Sequence, residues 1–280
     1  MSQAVAVCHG EFGRAALYRL DKEIITHAHR EGHLIFHVDG PDATCVSGED
    51  VCKVDAEHAV AVSPWAPHSY HPQDHEEQIC LVLYIKPMWF LENSTSAEYA
   101  LKFGRADLIL DEETKEHLNR LTCMLLDHED EVLFDSLLFA LTKACFDLSW
   151  AGDETKYRGQ IYDKFSDYRV RRSLRLIQEN IGEDIEMEEL ARNVGLSRPH
   201  FFKLFKQYTG VTPNVYMNTL RSERAIEELL NSHKTVTDIS FDLGFSRQAS
   251  FTRFFSSNVG IPPSEYRRVA HFSNGSFPMM

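Results

Sequence analysis

The sequence predicts an α+β fold: a β-rich front segment, then a pair of helices, then an all-α rear segment. Three observations predict it. Short apolar runs broken by turn residues fill the chain to about Pro87, helical periodicity takes over from Asp111, and the rear segment repeats itself.

The front runs are Leu34 to Val38, Cys45 to Val46, Val51 to Val54, Ala59 to Val62 and Ile79 to Ile85, separated by breaks such as Asp39-Gly40-Pro41 and Ser47-Gly48-Glu49. Runs of this length with such punctuation read as strands of a small sandwich or barrel. Leu118, Leu121, Leu125 and Leu126 then fall at helical spacing between Asp111 and His128, and Phe134, Leu137, Leu138, Leu141, Cys145 and Leu148 do the same between Glu131 and Leu148. Their leucine-rich stripe is wide enough to bury against a second copy of the chain or to cover the barrel. The polar stretch from Ala151 to Lys164 has no period and reads as a linker. The expected organisation is therefore 1–110, a β-rich sensing domain; 111–150, a helical pair; 151–167, a linker; and 168–272, a helical domain.

The net charge of the 280 residues is −13, with 43% hydrophobic and 25% charged residues, a balance that excludes a disordered or collagen-like chain. No run of about 18 uncharged apolar residues suggests a membrane span. Met1 to Arg14 lacks the basic and apolar regions of a secretory signal, so a cytoplasmic location is expected. The six cysteines, Cys8, Cys45, Cys52, Cys80, Cys123 and Cys145, form no C-x-x-C pair and read as reduced, buried thiols. Charge is unevenly divided: residues 1–167 carry −16 and residues 168–280 carry +3. Only the rear segment is fit to approach a nucleic-acid backbone.

Gly195-Leu196-Ser197-Arg198 matches Gly244-Phe245-Ser246-Arg247 at an offset of 49, and Phe201, Phe205, Gly210, Pro213 and Tyr216 match Phe251, Phe255, Gly260, Pro263 and Tyr266 at an offset of 50. Each copy reads as a helix, a tight glycine turn, a serine-capped helix, then Gly, Pro and Tyr, which makes two helix-turn-helix units in tandem. The second helix of such a unit fits the major groove. With the repeated phenylalanines inward, Arg198, Pro199, Phe202, Lys203 and Lys206 face out on the first copy, and Arg247, Gln248, Ala249, Thr252 and Arg253 on the second. Arg253 and Gln248 suit guanine and adenine edges, Phe202 either lies against a thymine methyl or joins the core, and Lys203, Lys206 and Arg247 serve phosphate as readily as bases.

Met187 to Arg268 resembles the DNA-binding region of the AraC family of transcription regulators, through Asp238-Ile239-Ser240-Phe241-Asp242-Leu243-Gly244-Phe245-Ser246 followed by Phe251, Phe254-Phe255, Gly260, Pro263, Tyr266 and Arg267. The resemblance implies seven helices, with the Pro213 to Leu230 helix spacing two reading heads into successive major grooves. It also implies base contacts by Pro199, Phe202 and Lys203 in the first head and by Gln248, Ala249 and Arg253 in the second. Pro199 and Phe202 depart from the polar residues common at those places.

In the front segment His27-x-His29-x-x-x-His33, Gly40 and Pro64-x-x-Pro67-His68-x-Tyr70 resemble the two motifs of the cupin fold, with His33 standing where metal-binding cupins commonly have Glu. If the chain is extended through them, His27, His29 and His33 share one side of a strand and His68 faces them. His27, His29, His33, His68 and Tyr70 are the candidate effector-binding residues. The same four histidines are a candidate divalent-metal site, since neutral imidazole suits Zn, Fe, Ni or Cu. His37, His71 and His75 read as surface or rim residues, and Trp65, Tyr70 and Phe36 as pocket wall.

The expected function is that of a sequence-specific DNA-binding transcription regulator controlled by a small molecule, without catalysis and with no obligatory cofactor. Expected partners are double-stranded promoter DNA, the effector and a second copy of the chain, with RNA polymerase a further candidate. Two rival readings are a metal-dependent cupin enzyme or metal sensor with an appended helical domain, and a protein-interaction module.

Overall fold

A computed structural model describes residues 2–73, 76–87, 89–90, 101–127, 131–151, 167–182 and 186–272. Strands β1 (Gln3–Gly10), β2 (Gly13–Leu20), β3 (Ile24–His27), β4 (Gly32–Asp39), β5 (Ala43–Ser47), β6 (Asp50–Val54), β7 (His58–Val62), β8 (His68–Pro72), β9 (Gln78–Ile85) and β10 (Asp107–Ile109) make up the front segment. They form two sheets, a large one in the order β10-β7-β4-β9-β2-β1 and a smaller one in the order β3-β8-β5-β6. This is the expected β-rich architecture as an open, two-sheet barrel.

The period of two divides the large sheet cleanly. Leu34, Phe36, Leu81 and Leu83 point to its outer face, where helices α1 (Glu112–Asp127) and α2 (Glu131–Trp150) cover it with Leu118, Leu121, Leu125, Leu138 and Leu141. The leucine stripe therefore covers the sheet within the protomer, Leu126 being its exposed member, and Leu133 of α2 is exposed outside the stripe. Tyr18, Ile35, Val82 and Tyr84 point the other way, toward Cys45, Cys52, Val54 and Tyr70. Phe36 is a correction: it lies under the helices, on the face away from the histidines, and is not pocket wall.

The rear segment contains α3 (Tyr168–Glu179), α4 (Met187–Asn193), α5 (Arg198–Thr209), α6 (Pro213–Asn231), α7 (Val236–Asp242), α8 (Gln248–Val259) and α9 (Pro263–Val269), the seven helices expected among the described residues. A final strand, β11 (Ala270–Phe272), pairs in parallel with β1, placing Ala270 opposite Val7. Phe251, Phe255 and Tyr266 belong to the same core as the barrel interior, whereas Phe201, Phe205 and Tyr216 make a separate core with α3 and α4. The second helix-turn-helix is thus docked on the barrel. The linker and His75 lie mostly or wholly outside the described residues. Among those described, no helix is long and apolar enough to cross a membrane.

Cys8, Cys45, Cys52, Cys80 and Cys145 are buried, and burial pushes Cys45 and Cys80 up to about 12, which keeps them as inert thiols. Cys123 departs from the expectation and is exposed.

Candidate nucleic-acid interface and effector site

The two helix-turn-helix units are built by the same local bonds. In the first, Leu196 N–H reaches Ala191 O at 3.0 Å and Gly195 N–H reaches Arg192 O at 2.9 Å; in the second, Phe245 N–H reaches Ser240 O at 2.9 Å and Gly244 N–H reaches Phe241 O at 2.9 Å. Each pair closes the bracing helix through a left-handed glycine, with φ of 72° at Gly195 and 80° at Gly244. The aromatic triads repeat as well: Phe205 meets Tyr216 edge-on at 5.6 Å and Phe255 meets Tyr266 at 5.7 Å.

The caps differ between the copies. Ser197 caps α5, without a side-chain hydrogen bond, and proline follows at the start of the helix. In the second copy the cap is Arg247 rather than Ser246, so α8 begins one residue later than the repeat suggests. The single inserted residue is absorbed at this turn.

On α5, Lys203 and Lys206 are exposed, as are Arg198 and Pro199 at its start; on the second unit, Arg247, Gln248, Ala249 and Arg253 are exposed and Thr252 is half-buried. Phe202 is half-buried: its ring meets Phe201 edge-on at 6.0 Å and carries the Arg198 guanidinium at 5.5 Å. It therefore serves both as packing and as a platform for a cation. The Gln248 amide oxygen accepts a hydrogen bond from Thr237 Oγ1 at 2.8 Å, which orients the side chain from α7. Lys203 and Arg253 occupy equivalent, exposed places.

In the front segment the chain is not extended through the histidines as the strand reading required. β3 ends at His27, residues 28–31 turn away, and β4 resumes at Gly32. The four rings nevertheless converge: His27 lies 4.8 Å from His29 and 4.3 Å from His68, and His33 lies 5.0 Å from His29 and 4.7 Å from His68, centroid to centroid. The β3–β8 pairing sets His27 directly opposite His68. Burial holds His27 down at about 4 and pushes His29, His33 and His68 well below the usual imidazole range, so the rings are neutral. Tyr70 stands apart from this group: its hydroxyl donates to Gln78 Oε1 at 2.6 Å, beside Cys80. Trp65, with φ of 64°, stacks on Tyr216 of the rear segment at 4.9 Å.

Sequence reasoning missed the seam between the segments. A cavity of about 570 Å³ opens there, lined by His9, Arg14, His29, Glu31 and Lys86 from the front and by Thr219, Glu223 and Arg224 of α6 from the rear. Arg14 packs over Tyr84 at 3.5 Å and donates to Tyr266 Oη at 3.0 Å, while Thr219 Oγ1 donates to Ala28 O at 2.8 Å and Arg30 pairs with Glu223 at 2.9 Å. No periodicity in a single sequence reports such long-range pairs.

Residues 190–269 match the family described as a helix-turn-helix domain. The chain is 33% identical over 102 residues to the regulatory protein PocR of Salmonella typhimurium, which covers 36% of this chain and 34% of that one. It is 31% identical over 138 residues to the transcriptional activator RhaS of Escherichia fergusonii, covering 49% and 45%. The chain thus spans well under two thirds of these relatives. ToxT of Vibrio cholerae shares the fold over 94% of this chain and 98% of its own, with a TM-score of 0.57 and 15% identity.

Proposed function

With an AraC-type helix-turn-helix domain at its carboxyl end, we propose that this protein is a sequence-specific regulator of transcription whose front barrel takes up a small effector and governs how the rear segment meets promoter DNA. The observation that carries the reading is the duplicated unit with exposed cations at equivalent positions, Lys203 and Arg253, on helices whose other faces are buried by the same aromatic triad. Arg253 and Gln248 read base edges, and Lys203, Lys206, Arg198 and Arg247 hold phosphate or bases from the flanks.

Control follows from the docking. The second unit shares a core with the barrel and α6 touches the β3–β4 turn, so a ligand that favours one arrangement of this seam shifts the population of DNA-competent states. One solved form of ToxT is bound to an unsaturated fatty acid, and the seam cavity here has the volume of a small-molecule site. Two copies acting on paired half-sites, contact with RNA polymerase and residence in the cytoplasm with the DNA belong to the same reading. Leu126 and Leu133 supply exposed apolar surface beside the helical pair.

The test is selection of bound fragments from genomic DNA followed by gel-shift of the winners over a salt series. Preference for particular fragments, with affinity falling by a log–log slope of about −0.9 per phosphate contacted, is the expected result. Equal binding to every fragment would remove the regulator reading.

A further inference from the structure

The histidine cluster is over-supplied with bare nitrogen. His27 Nδ1 lies 2.8 Å from Ile25 O and His68 Nδ1 lies 3.1 Å from Ala66 O. A carbonyl only accepts, so both Nδ1 atoms carry the proton and both neutral rings present Nε2 as a lone pair. His33 Nδ1 sits 2.9 Å from His68 Nε2 and must therefore donate to it, which leaves His33 Nε2 bare as well. The Nε2 atoms of His29 and His33 are buried without a hydrogen-bond partner. Backbone carbonyls holding the far nitrogen of a ring are the outer contacts that orient metal-binding imidazoles.

We propose that His27, His29 and His68 bind a divalent first-row transition ion, with zinc the best fit, and that the ion is the effector read by the rear segment. One nitrogen from each of the three already lies within 4.8 Å of the others. Tetrahedral zinc with bonds of about 2.0 to 2.1 Å needs them about 3.3 Å apart, a closure that one short turn can make. An all-imidazole set selects this class over magnesium and calcium, which take oxygen. On binding, the ion would take the His68 lone pair that His33 now uses, and His29, the third ligand, also lines the seam cavity. Arg14 lines the same cavity, its guanidinium lying over the Tyr84 ring on which His33 stacks at 4.4 Å.

The coupling path is short. Drawing His29 toward His27 and His68 moves residues 28–30, and each of them holds the rear segment: Ala28 O accepts from Thr219, His29 O accepts from the N–H of Trp65, which stacks on Tyr216, and Arg30 pairs with Glu223. Thr219, Tyr216 and Glu223 all lie on α6, the helix between the two reading heads.

This inference deepens the regulator reading and rests on it, and the test separates the two. The purified full chain, stripped with chelator, is titrated with Zn²⁺ by calorimetry and with Co²⁺ by visible absorption, and gel-shifts on a selected genomic fragment are run with Zn²⁺ or with chelator. Expected are one ion per chain, the intense d–d bands of tetrahedral Co²⁺, and a change in DNA affinity of about 5-fold or more. His29→Ala and His68→Ala should lose the Co²⁺ bands, while Thr219→Val should keep them and lose most of the change in affinity. A wild-type chain that retards DNA but binds neither ion stoichiometrically overturns the site and leaves the regulator reading intact. Bands that survive in folded His29→Ala and His68→Ala overturn the ligand assignment, and Zn²⁺ binding without a change in DNA affinity overturns the coupling. Tetrahedral Co²⁺ bands in a chain that retards no DNA would uphold the site, overturn the ion's role as effector and remove the regulator reading.

Discussion

Tyr266, in the last helix of the rear segment, accepts a hydrogen bond from Arg14 of strand β2 at 3.0 Å, across 252 positions of sequence. The same hydroxyl lies 2.9 Å from His9 Nε2, to which it can donate, so one phenol links both partners to the rear core. Arg14 is buried, and among its described contacts a hydroxyl and two aromatic rings stand where a carboxylate would be usual. Tyr266→Phe keeps the ring that packs on Phe255 and removes only the hydroxyl. The expected loss is about 1 to 3 kcal/mol, the cost of leaving buried polar groups unsatisfied, read as a lower urea midpoint with unchanged slope. An unaltered midpoint would show that the seam does not depend on this bond.

Arg253 and Lys206 are both exposed cations on reading helices, yet they should behave differently. Arg253 lies well inside α8, where an arginine reaches base edges; Lys206 lies in the last turn of α5, where phosphate is the nearer target. Arg253→Ala should cost about 1 to 3 kcal/mol of binding and relax preference at one base pair, whereas Lys206→Ala should weaken all sequences alike and lower the salt slope by about 1. Gel-shift against a panel of single-base variants at two salt concentrations distinguishes them. Equal loss on every variant for Arg253→Ala would move it to the phosphate class.

The rear segment was legible because its signals are local. Glycine turns, proline starts and phenylalanines four residues apart fix each unit within about twenty residues, and α9 runs from Pro263 to Val269 as the pattern requires. Strands β1 and β2 were not singled out, for they are built on Ala4, Ala6, Ala15 and Ala16, small residues with little β preference that are buried by what packs on them. The convergence of the histidines was legible in outline from their spacing. Its actual route, through a break after His27, depends on the pairing of β3 with β8. The docking of Tyr266 and Gly260 on the barrel was not legible at all, since no pattern within one segment encodes a partner in another.

Gly210 and Gly260 end the two reading helices at equivalent places, with φ of 83° and 92°. A side chain at either is strained by about 1 to 2 kcal/mol in that conformation. A Cβ at Gly210 meets nothing within 4 Å, but at Gly260 it comes within 3.0 Å of Ile24 Cδ1 and 3.3 Å of Leu20 Cδ2 on the barrel. Gly260→Ala should therefore destabilise more than Gly210→Ala, and the difference isolates the docking of the second unit. Equal losses in paired urea titrations would mean that Ile24 and Leu20 yield without cost.

Acid should destabilise the barrel through its buried histidines. His27, His29, His33 and His68 are neutral when folded because burial disfavours their charged form, whereas in the unfolded chain they titrate near the ordinary value of about 6.5. Above about pH 7 both states are neutral and these groups make stability independent of pH. Below about 6.5 the unfolded chain binds protons that the folded one refuses, so stability falls with pH until the folded imidazoles themselves titrate, which for His27 is at about 4. At about 1.4 kcal/mol per unit, His27 alone accounts for about 3 kcal/mol across that window. Urea midpoints in chelator-containing buffer at pH 8, 7, 6 and 5 should be level between the first two and decline thereafter. A flat profile down to pH 5 would show that the cluster accepts charge freely, through water or through a counterion reaching it from the seam.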